Sequence, residues 1–87
     1  MALSVVTHKV ADFGAWHDVY KSVADLQAAG GVTQESFHRK ADDPDTVLVL
    51  HYFDSVEKAQ AFFANPELQE AMKRGGVIGE PRIEFYE

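Results

Sequence analysis

Two stretches of this 87-residue chain, Leu3 to Val10 and Thr46 to Phe53, carry bulky side chains on both sides of an extended backbone. In the first, Leu3, Val5 and Thr7 alternate with Val6, His8 and Val10; the second reads T-V-L-V-L-H-Y-F and is the most apolar run in the chain. Successive residues of a strand point to opposite faces, so strands of this kind need cover on both. Two of them belong in the middle of a sheet. One layer of helices covers one face only, and a second copy of the sheet is the simplest cover for the other. Length points the same way, because a domain of this size buries roughly 60 to 65% of its unfolded surface and often relies on oligomerisation.

The segments between fit around that pair. Asp12 is placed to cap a helix, on which Phe13, Trp16, Val19, Tyr20, Val23 and Leu26 recur at helical spacing until Gly30 and Gly31 stop it. Val32 to Lys40 has Phe37 as its one large apolar interior residue and reads as an edge strand. The turn A-D-D-P-D at Ala41 to Asp45 predicts a hairpin. Asp54 with Glu57 forms a capping box for a second helix with Val56, Ala59, Phe62 and Phe63 inward. Asn65-Pro66 ends it and starts a short third helix, with Leu68, Ala71 and Met72 inside, which Gly75-Gly76 terminates. Pro81 to Tyr86 closes the chain as another edge strand. The order is βαββαβ: a single α+β domain over residues 1–87, ferredoxin-like, with a four-stranded antiparallel sheet whose first and third strands are central. Paired through its second face, it would form a homodimer with two sheets packed against each other.

Composition removes several functions. A formal charge of -6 opposes binding to nucleic acid, and the central strands lack the basic residues that RNA-binding versions of this fold carry. The absence of cysteine excludes thiolate nucleophiles and cysteine-type zinc sites. No apolar run reaches the roughly 18 residues of a membrane span, and the opening M-A-L-S-V-V-T lacks a basic leader region, so a cytoplasmic protein without membrane contact is expected. The four histidines show no H-x-H or H-x-x-x-H spacing, and no metal is expected. The glycines of G-G-V-I-G at Gly75 to Gly79 read as helix stops, because no strand precedes them in a βαβ unit.

The opening V-x-H-K-V-x-D-F-x-x-W, the hairpin A-D-D-P-D-T-V and the tail from Ser55 to Glu87 together resemble small proteins of the dimeric α+β barrel superfamily, in the group called antibiotic biosynthesis monooxygenase-like or cyclase-like. The resemblance covers nearly the whole chain. It implies the fold, a homodimer and an activity among cofactor-free oxygenases, cyclases, isomerases and haem-degrading enzymes. Cofactor-free oxygenases of this kind use a tryptophan and an asparagine near the substrate. Trp16 is the matching aromatic; the only asparagine, Asn65, reads as a helix cap. The helix histidine His17 lies on the wrong helix for the haem-degrading pattern, so no cofactor is expected.

His8 and His51, on the two central strands, are the candidate catalytic residues, since a neutral imidazole can act as general base or acid near physiological pH. The plain alternative is a core histidine with a hydrogen-bond partner. His38, on an edge strand, reads as a surface residue. Trp16, Tyr20, Tyr52, Phe37 and Phe63 are the candidate substrate-binding residues for a planar aromatic molecule; an aromatic stripe at helical spacing is more often plain core. His8 precedes the Asp12 cap by four residues and Trp16 follows it by four, so reversal of the chain should bring them to one end of the sheet. The expected function is proton-transfer chemistry on an apolar, aromatic or polyketide-like ligand, as a cofactor-free monooxygenase or cyclase. The alternative is a non-catalytic ligand-binding or stress-associated dimer.

Overall fold

In the computed structural model, which describes residues 1–87, the elements run β1 (Ala2–Val10), α1 (Phe13–Ser22), α2 (Ala24–Ala29), β2 (Gln34–Lys40), β3 (Asp43–Phe53), α3 (Val56–Ala64), α4 (Pro66–Arg74) and β4 (Val77–Tyr86). The strands form one antiparallel sheet in the order β2-β3-β1-β4. The two doubly apolar strands are therefore the central pair. The ferredoxin-like α+β fold expected from the sequence is the fold observed.

Register decides which half of each strand meets the helices. Val6 pairs with Val49 and Ile83, and Val49 with Phe37, giving an apolar row across all four strands. The neighbouring row is Glu35, His51, Ser4 and Phe85. Ala2, Ser4, Val6, His8 and Val10 of β1 are buried on this face, as are Val47, Val49, His51 and Phe53 of β3. The other face presents Leu3, Val5, Leu48, Leu50 and Tyr52, all only partly buried. No helix covers it.

Two apolar clusters lie under the helices. One joins Ala2, Phe53, Ala59, Phe62 and Leu68; the other joins Val6, Val10, Trp16, Val47 and Val49. Gly30 fits the first by having no side chain, because a Cβ there would lie 2.4 Å from a ring carbon of Phe62.

Four local expectations shift. The helix expected to run unbroken from Asp12 to Gly30 is interrupted at Val23, where Ser22 Oγ donates to the Val19 carbonyl at 2.6 Å and competes with the helical ladder. The cap of α3 is Ser55, accepting from Lys58 N at 3.2 Å, while Asp54 forms an ion pair with Lys58. β3 runs to Phe53, so Ser55 is the residue immediately before the first helical position. The hairpin is tighter than A-D-D-P-D suggests: Lys40 pairs with Asp43, and Pro44 is already in the strand, its carbonyl accepting from Arg39 Nε at 2.9 Å. β4 starts at Val77, earlier than Pro81, so Val77 to Gly79 is strand beyond the helix stop. Its pairing with β1 slips opposite His8: Ile78 meets Lys9, Arg82 meets Thr7, and Gly79, Glu80 and Pro81 lie between. Proline is tolerated in such a bulge, where no ladder bond is required of it. Asn65 caps α4 as expected, accepting from Glu67 N at 2.9 Å with Pro66 at the first helical position.

Candidate active site

Between the sheet and α1, α2 and α4 lies a cavity of about 50 Å³. Val6 and His8 reach it from β1, Val49 and His51 from β3, Trp16, Val19 and Tyr20 from α1, and Leu68, Ala71 and Met72 from α4. Val23, Gln27 and Phe63 complete the wall. Both central-strand histidines face it because they fall on the helix side of the alternation. The break at Val23 turns α2 so that Gln27, a polar residue, is buried in the lining.

His8 packs edge-on against Trp16 with ring centroids 5.6 Å apart, so the turn at Asp12 brings the two together as expected. Neither ring nitrogen of His8 has a hydrogen-bond partner within the chain, although the residue is only 6% exposed. Burial disfavours its charged form and lowers its pKa from 6.5 to about 4. At neutral pH it is an uncharged imidazole, with one donor and one acceptor and no internal use for either.

His51 is equally buried but connected. Its Nε2 lies 3.3 Å from the Tyr20 hydroxyl, and that hydroxyl donates to the Glu35 carboxylate on β2. A carboxylate only accepts, so the Tyr20 proton is committed to Glu35 and the phenol oxygen is left to accept from His51. A proton on His51 Nε2 would complete this arrangement by donating to the phenol oxygen. Nδ1 has no partner, and neither does the buried hydroxyl of Ser4, which pairs with His51 across the sheet. Burial lowers the His51 pKa to about 4, with the Glu35 charge opposing. Burial raises the Tyr20 pKa, and the hydrogen bond and charge of Glu35 raise it further against an opposing hydrogen bond from Gln27, so the phenol stays protonated.

Trp16 and Tyr20 stack with centroids 4.9 Å apart. Phe37 packs on both, at 5.6 and 5.3 Å, but stands behind them, outside the lining. Arg39 closes this cluster at the surface, its guanidinium 4.1 Å over the Phe13 ring. Phe63 reaches the cavity from α3. Tyr52 does not: its place in the alternation puts it on the uncovered sheet face with Leu3 and Leu50. His38 is exposed on β2, and Asn65, occupied as a helix cap, is absent from the lining. Sequence reasoning missed Glu35 and Gln27. Glu35 is two residues from Phe37 and so on the same face of β2, a signal that was available; Gln27 depended on the helix break.

No three His, Asp or Glu side chains converge to hold a metal ion. No helix is long and apolar enough to cross a membrane.

The four-stranded antiparallel sheet with helices on one face is an α+β, ferredoxin-like fold. Residues 6–74 match the antibiotic biosynthesis monooxygenase family, and the chain belongs to that family. Among solved structures, it is similar to a protein from Bordetella bronchiseptica given the name antibiotic biosynthesis monooxygenase, with a TM-score of 0.85 at 13% identity over 99% of this chain and 94% of that one. A Caulobacter crescentus protein given the same name is similar with a TM-score of 0.78 at 20% identity, over 98% of this chain and 86% of that one. SnoaB, a cofactor-independent oxygenase from Streptomyces nogalater, has a TM-score of 0.75 at 13% identity, over 95% of this chain and 89% of its own. At these identities the likeness concerns the fold. Among curated proteins, none matches the sequence.

Proposed function

We propose that this protein is a cofactor-free enzyme of the monooxygenase or cyclase type that acts on an aromatic or polyketide-like molecule by removing a proton from an acidic phenol or enol. The observation that carries the proposal is the pair of buried imidazoles with unpartnered ring nitrogens in one apolar cavity. Unsatisfied buried polar groups each cost about 1–3 kcal/mol, and a ligand hydroxyl would satisfy them. Trp16, Tyr20 and Phe63 supply flat apolar surface for an aromatic ring. His8 and His51, neutral at physiological pH, supply the proton acceptor and a hydrogen-bond donor. Val23 also borders an outer groove of about 530 Å³ between α2 and α4.

A homodimer belongs to the same proposal. The uncovered apolar face of β1 and β3 would be buried against a second copy. Light scattering should give twice the chain mass, and Leu50→Asp, which places a charge opposite Val5 in the middle of that face, should dissociate it. A stable wild-type monomer would rule the dimer out.

One observation favours a second reading, a non-catalytic dimer whose aromatics are core. A cavity of about 50 Å³ holds a few waters, whereas a benzene-sized guest occupies one of about 150 Å³. The deciding experiment is quenching of the fluorescence of Trp16, the only tryptophan, by 1-naphthol and 1,8-dihydroxynaphthalene, followed by turnover assays. Binding and turnover, with His8→Ala folded but slower by roughly 10²-fold, are expected for the enzyme. Trp16→Phe, which has no tryptophan and is therefore followed by titration calorimetry, should weaken binding more than it lowers Tm. Full turnover by His8→Ala would remove His8 from the chemistry, and no binding at all would favour the second reading.

A further inference from the structure

His8 and His51 share a cavity and a degree of burial, but only one of them is wired to solvent. Glu35, exposed on β2, stands directly opposite His51 in the β2–β3 register, and the Tyr20 hydroxyl bridges the two from α1. The other groups around His51 are Ser4 on β1, Gln27 on α2 and the rings of Phe62 and Phe63 on α3. None of these carries a charge. Among the lining residues of α4, Leu68, Ala71 and Met72, none titrates. The single charged group with access to His51 is therefore the Glu35 carboxylate.

We propose that Glu35, acting through Tyr20, fixes His51 as its Nε2-protonated tautomer, so that His51 Nδ1 is the proton acceptor of the cavity and Glu35 the exit for that proton. This rests on the functional reading of the cavity given above. The transfer balances without any other reactant. The substrate O–H bond breaks and its proton joins His51 Nδ1; the Nε2 proton passes to the Tyr20 oxygen; the Tyr20 proton passes to Glu35. One negative charge has moved from the sheet edge to the substrate oxygen, and His51 ends uncharged, with its proton on the other ring nitrogen. Glu35, now neutral and exposed, loses its proton to water. Run in reverse, the same chain returns a proton to a product anion.

His8 has no such chain. Its part is then to hold the substrate by hydrogen bonds, while Glu35 and Tyr20 are positioning residues for His51. The face of Glu35 follows from its spacing to Phe37, but its alignment with His51 depends on the β2–β3 register.

Nitrogen-detected NMR of histidine-labelled protein at neutral pH tests the positioning directly. Wild-type His51 should show a protonated Nε2 and an unprotonated Nδ1, and Tyr20→Phe should lose this preference. Glu35→Gln, whose amide oxygen can still accept from Tyr20 but cannot take up a proton, should keep the tautomer and the affinity for 1-naphthol while turnover falls by roughly 10-fold to 10²-fold. Glu35→Asp should recover part of the rate. A wild-type His51 protonated on Nδ1, or an unaltered tautomer in Tyr20→Phe, overturns the proposal. So does wild-type turnover by Glu35→Gln. If the wild type binds and turns over neither naphthol, the reading of the cavity fails, and the tautomer measurement still decides the positioning by itself.

Discussion

The two ends of the helix-covered face solve the same problem differently. His8 and His51 are 6% and 4% exposed, both lie on central strands, and burial lowers both to a pKa of about 4. Burial therefore does not distinguish them. Partners do: His51 has Tyr20 and, through it, Glu35, whereas His8 has the edge of an indole and, on the β4 side, a bulge in place of a paired residue. Packing follows the same division. Around His51 the rings of Phe53, Phe62 and Phe63 close in, with Gly30 leaving room for Phe62. One end is wired and tight, and the other holds hydrogen-bonding capacity in reserve.

The largest expected effect treats the two ends together. Each histidine has a folded pKa of about 4 against 6.5 unfolded, so between those values the unfolded chain binds more protons and stability falls as pH falls. The loss begins near 6.5, is complete below about 4, and is on the order of 3 kcal/mol for each histidine. Urea midpoints measured across that window should drop steeply, and a midpoint independent of pH there would mean that neither imidazole is buried neutral.

Two glycines test the difference in tightness. A Cβ on Gly30 would meet Phe62 at 2.4 Å, whereas one on Gly75 would meet Trp16 at 3.2 Å. Gly30→Ala should cost about 1–3 kcal/mol by overpacking, and Gly75→Ala clearly less. Equal losses in thermal unfolding would remove the contrast.

The smallest effect is the sharpest, because its sign differs between the ends. Replacing His8 by leucine removes two unsatisfied ring nitrogens and should stabilise the fold by about 1 kcal/mol while abolishing ligand binding. His51→Leu removes a made hydrogen bond and should destabilise by about 1 kcal/mol. If His8→Leu destabilises as much as His51→Leu, His8 has a partner in solution and its reserve is illusory.

Alternation and helical spacing were sufficient for β1, β3, the α1 stripe and the Asn65-Pro66 junction, since each depends on neighbours only a few residues away. His8 with Trp16 was legible for the same reason: one short turn at Asp12 connects them. Tyr52 shows the limit. Its neighbour His51 faces the cavity and Tyr52 therefore cannot, but which of the two faces inward is a matter of one residue of register. The helix break at Val23 also escaped, since one serine hydroxyl bonding to a carbonyl leaves no trace in the apolar pattern.

What the sequence by itself determined was the four strands, the helices apart from the break at Val23, their order and the central place of the two doubly apolar strands, because hydrophobic periodicity and capping are local properties of the chain. Only the tertiary structure decided which face the helices cover, that Gln27 turns inward, and that Glu35, Tyr20 and His51, drawn from three separate elements, form one connected chain. Those outcomes depend on pairing between residues distant in sequence. A polar residue on an edge strand looks the same before folding whether it ends in water or beside a buried imidazole.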